Sequence, residues 1–293
     1  MIKNFEEYNK LNEESNWASS WALTLFMLFN MIGSDTPRSI SKEDFGKYIK
    51  KSQVNLNRHN INNAIDDVKK KVQSDSKITN KQEIFNIIDS TLYLYDKKDV
   101  ISKKLYKLAS KPGGKTSCFV IFLQDGEGND TKRPLIMLEK DAPLISIRHE
   151  LYHIVNRYMK QDIEDITKMF DFKIPYKEYN KRYNTLTGYE YTISPLKKEY
   201  FDYMDASEIY SRLNNLKHFL YEYNYIKSPN DTIPEDVFLR LFTGDVYKSL
   251  SKKDRLKFRK SDFMDILLFL DLRKMKMMDQ YVMNTTQNKN NKA

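Results

Sequence analysis

Residues 149–153 read His-Glu-Leu-Tyr-His, and this H-E-x-x-H pattern constrains the chain more than any other feature. Four histidines and sixteen glutamates among 293 residues make a chance match rare. Helix geometry gives the pattern its meaning. Residues four apart lie about 40° from each other around a helix, so His149 and His153 project from one face. Two imidazoles so placed suit one Zn²⁺. Glu150 is turned about 100° from His149, where a general base for a water molecule belongs. The flanks agree with a helix. With His149 at 0°, residues Leu144, Ile147, Leu151, Ile154, Val155 and Tyr158 fall at roughly 140–240°, an apolar stripe opposite the two histidines.

The surroundings predict an α+β chain, mostly helical, with a small mixed sheet before the motif helix. Ser41–Asp44 reads as a capping box opening a helix. Asn60–Val72 and Gln82–Leu94 carry apolar residues at helical spacing, and Ile101–Leu108 continues them. Pro112-Gly113-Gly114 is a turn signal. Ser117–Leu123 and Pro134–Leu138 read as strands joined as a hairpin through the loop Asp125–Asp130. Cys118, the single cysteine, is expected as a core residue. Pro143 opens the motif helix. Ser194-Pro195 starts another helical stretch reaching about Tyr225, Ser228–Pro234 is a loop, and two or three helices follow to about Met283. The expected organisation is a helical region over 1–110, a core over 111–227 and a helical region over 228–293.

The motif, the helix carrying it and the preceding hairpin resemble the zincin metallopeptidases. The resemblance implies one Zn²⁺ per chain held by His149 and His153, Glu150 as catalytic base, and a sheet whose edge strand pairs with extended substrate. Ser117–Leu123 or Pro134–Leu138 would be that edge. It implies a hydrolase that cleaves peptide or protein substrates. A third ligand is needed. No histidine follows at metzincin spacing, since position 156 is Asn156 and 159 is Met159. That leaves an acidic residue on a later helix, as in gluzincins, or His218. Glu208 is the choice, with Arg212 at i+4 to orient its carboxylate and the small Ala206 and Ser207 allowing close helix approach. Asp205 and Glu190 are alternatives, and Asp205-x-x-Glu208 also fits a helix cap. A Tyr, His or Arg is needed as donor for the developing oxyanion; Tyr189, Tyr191 and Tyr210 are candidates, though each reads first as a packing residue.

Composition narrows the rest. A formal charge of +9 spread along the chain gives a basic surface without specific nucleic-acid readout. The densest basic run, Lys248–Lys260, reads as a solvated helix face, the methionines at 275–278 as gap-filling, and His59 as a surface residue. Trp17–Gly33 is the most apolar run, but Glu6, Glu7, Glu13 and Glu14 outweigh Lys3 and Lys10 before it, the wrong sign for a secretory signal. The run is short and polar for a span, so it is expected to face a core or a protein partner, not a membrane. The chain is expected inside the cell. The rival expectation is a zincin-fold structural or binding component of a larger assembly, docking through Trp17–Gly33.

Overall fold

A computed structural model describes residues 42–54, 56–95, 118–124, 130–139, 141–159, 176–189 and 206–283. Among them the chain is mostly helical with one three-stranded mixed sheet, an α+β arrangement. The residues divide into two compact units.

The first unit holds helix α1 (Lys42–Val54) and strands β1 (Leu92–Leu94), β2 (Cys118–Gln124) and β3 (Asp130–Leu138). The hairpin is as expected: β2 and β3 are antiparallel, with Cys118 opposite Leu138 and Ile121 opposite Leu135. Cys118 is buried. The order is β1-β3-β2, with β1 parallel to β3. Pro134–Leu138 is therefore the interior strand and cannot be a free edge; of the two edge candidates only β2 stays outermost among the described residues. Pro134 lies opposite Phe122 of β2, just before the residues 135–137 that pair with β1. The stretch Gln82–Leu94 is not one helix. The helix stops at Asp89 and Leu92–Leu94 is a strand whose three residues are all buried. A run covered on both faces has no alternation, so spacing alone cannot separate it from a buried helical turn. Ser52 of α1 donates a 2.8 Å hydrogen bond to the Tyr95 carbonyl just after β1.

The second unit contains α2 (Arg58–Ser74), α3 (Lys81–Asp89), the motif helix α4 (Leu144–Tyr158), α5 (Tyr176–Thr187) and α6 (Ala206–Glu222). Pro143 caps α4 in an extended conformation, and the chain leaves it at Met159. Ile147, Leu151, Ile154 and Val155 of the anticipated stripe are fully buried, while Leu144 and Tyr158 at its ends are half-buried. The opposite side is covered as well, because α6 packs along α4. Arg148 is buried and bridges Asp67 of α2 (3.1 Å) and Glu222 of α6 (3.2 Å).

Five short helices follow, not two or three: α7 (Glu235–Phe242), α8 (Asp245–Ser249), α9 (Lys252–Lys260), α10 (Met264–Phe269) and α11 (Leu272–Met283). Local chemistry breaks them. Gly244 is left-handed at φ 77°, Ser251 accepts from the Asp254 N–H as a cap, and Asp271 accepts from the Lys274 N–H. The lysines of α9 are exposed around a buried Phe258, as a solvated face requires. Met275 and Met278 are core residues, and His59 is exposed, 3.1 Å from the side-chain amide of Asn63. No helix among the described residues is long and apolar enough to cross a membrane. Ser41, Trp17–Gly33, Ile101–Leu108 and Ser194-Pro195 lie outside the described residues.

Candidate metal centre

Helices α4 and α6 bring three of the anticipated groups together. The Nε2 atoms of His149 and His153 lie 2.9 Å apart. The Glu208 carboxylate stands 3.3 Å from His149 Nε2 and 3.5 Å from His153 Nε2. All three ligand atoms fall within 4.8 Å of one another. A tetrahedral zinc with arms of about 2.0–2.1 Å separates its ligands by roughly 3.3–3.4 Å. Each imidazole stands near that spacing from a different oxygen of the carboxylate. The two rings need part by only about 0.4 Å, a small rotamer adjustment. The donor set, two imidazoles and one carboxylate, is the kind that binds zinc.

The outward nitrogens are each engaged. His149 Nδ1 lies 2.5 Å from Asp262 Oδ2, and its N–H donates to that carboxylate. His153 Nδ1 lies 2.6 Å from Ser207 Oγ. Both bonds leave the Nε2 atoms facing Glu208. Arg212, one turn beyond Glu208, reaches its Oε2 at 3.1 Å as the spacing suggests, and its other arm donates to Asp265 at 3.0 Å.

The electrostatics follow from this packing. Burial opposes a charge on His149, but the Asp262 and Glu208 carboxylates outweigh it and push the ring up to about 10. Burial, then repulsion from charged His149, takes His153 down to about 3. Burial works against the Glu208 charge, yet His149 and Arg212 hold its carboxyl well below the ordinary carboxylate range. The two carboxylates thus draw positive charge to His149, and His153 stays neutral beside it.

The other candidates separate clearly. His218 is buried elsewhere, its Nε2 2.7 Å from the Tyr152 hydroxyl, so it anchors the motif helix and is no member of the cluster. Tyr210 is buried edge-on to Tyr152 as a packing residue. Tyr189 is exposed, with the Arg259 guanidinium 4.4 Å above its ring. Asp205, Glu190 and Tyr191 lie outside the described residues. Glu150 is buried beside His149 in α4. Sequence reasoning missed Asp262, Asp265 and Asn215. No local pattern marks them, because they meet the motif only through tertiary packing; Ser207 was read for its size and not for its hydroxyl. Comparison with protein-family models, with curated proteins and with solved structures finds no match to this chain.

Proposed function

We propose that the protein is a zincin-like, zinc-dependent metallopeptidase. One observation carries the reading: His149 and His153, picked from their spacing, and Glu208, picked for its small neighbours and Arg212, converge with their ligand atoms inward and both outward Nδ1 atoms held by hydrogen bonds. Zinc bound there supplies a Lewis acid for a scissile carbonyl and eases deprotonation of water. The chain supplies the rest. Glu150 accepts the proton of the attacking water and returns it to the leaving amine. Arg212 holds the Glu208 carboxylate, and the buried setting strengthens every charge interaction within it.

The test joins metal content to turnover. Native protein is expected to hold about one zinc per chain, as three protein ligands and one open position imply. His153→Ala and Glu208→Ala should lose it, while Glu150→Gln should keep zinc and cleave no member of a quenched-fluorescent peptide library that native protein cleaves. Native protein without zinc after reconstitution, or full turnover by Glu150→Gln, sinks the reading. Zinc retained with no peptide cleaved by the native chain would favour an assembly role.

A further inference from the structure

The outer partners of the candidate ligands converge on one short segment. After α9 the chain turns through Ser261, Asp262 and Phe263 into α10, with the Met264 N–H donating to the Ser261 carbonyl and the Asp265 N–H to the Asp262 carbonyl. Phe263 is fully buried, its ring 5.3 Å from those of Phe219 in α6 and Phe258 in α9. That anchor places a carboxylate on either side. Asp262 accepts from His149 Nδ1–H and, on the same oxygen, from the Asn215 amide at 2.8 Å. Asn215 also donates to the Ile145 carbonyl at 3.1 Å, tying the first turn of α4 to the same point. Asp265 accepts from Arg212, whose other arm holds Glu208.

We propose that Asp262 is the positioning residue for His149, that Asp265 plays the same part for Glu208 through Arg212, and that the 261–265 turn thereby sets how tightly the site holds its metal. The inference rests on the zinc reading of the preceding section. A carboxylate on Nδ1–H fixes the tautomer, leaves the Nε2 lone pair for a metal and makes it a better donor. His153 has only the neutral Ser207 hydroxyl in that place. The two histidines are therefore unequal, and the charged partner matters more.

The experiment measures zinc affinity by competition with a chromophoric chelator for native protein, Asp262→Asn, Asp265→Asn and Ser207→Ala. The His149 tautomer is read by nitrogen NMR alongside. Asp262→Asn keeps the shape and removes the charge. It should weaken binding roughly 10- to 100-fold and shift the His149 nitrogen signals, with melting of the metal-free protein little changed. Asp265→Asn and Ser207→Ala should lose less. Affinity of Asp262→Asn within about twofold of native, well under the outer-partner effect, overturns the inference. If Asp262→Asn does not fold, Asn215→Ser loosens the same carboxylate: weaker zinc supports the proposal and unchanged zinc overturns it. Native protein that binds no zinc overturns the underlying reading instead.

Discussion

Lys71 shows what a single buried charge costs this chain. It sits in α2 with its side chain almost wholly covered, its ammonium 3.8 Å from Asp75. Burial, reinforced by repulsion from buried Lys217, pushes it down to about 7 from 10.5. The unfolded chain therefore binds more protons than the folded one between about pH 7 and 10.5, and stability from this group rises with pH across that window. Lys217 is shifted the same way. Relative to native protein, Lys71→Met should melt higher at pH 7, and that advantage should shrink as the pH rises to 9.5. The gain is on the order of a few kcal/mol at most. Parallel melting curves for the two proteins across pH 7–9.5 would refute the assignment. At this scale the sequence tells residue type but not depth: a lysine in an amphipathic helix reads as solvated, and only the packed neighbours show otherwise.

Elements were legible where one physical signal dominated. The motif helix, with Pro143 before it and a clean apolar stripe, lies where its sequence places it. The β2–β3 hairpin was equally plain from β-branched content and its loop. The short C-terminal helices were not, because each break depends on one residue meeting one neighbour. Gly244 is the clearest case. Its φ is 77°, and a Cβ there would lie 2.6 Å from the Thr185 carbonyl oxygen and 2.9 Å from that of Leu186, at the end of α5. Gly188, at φ 73°, has open space around the same position. Gly188→Ala should cost only the left-handed penalty, about 1–2 kcal/mol. Gly244→Ala should cost distinctly more, since backbone must move. Denaturant titration of the two variants decides it, and equal losses would show that α5 yields without resistance.

At the scale of the whole chain, the candidate ligands were readable because helix periodicity fixes two of them and a carboxylate paired with an arginine suggests the third. The outer partners were not, because they are brought in from 262 and 265 by tertiary packing alone. A ligand that binds only the folded state stabilises it by mass action, about 2.7 kcal/mol at a hundredfold excess over Kd. Zinc at that excess should raise the melting temperature of the native protein and leave His153→Ala unmoved; equal shifts would place the metal elsewhere. The hydrogen bond from His149 to Asp262 spans 113 residues. A growing chain folds from its N-terminus as it emerges. The motif helix is thus made before the turn that steadies it, and a chain synthesised only that far carries His149 without its Asp262 partner. The order of synthesis sets the two histidines in place before the carboxylate that holds one of them.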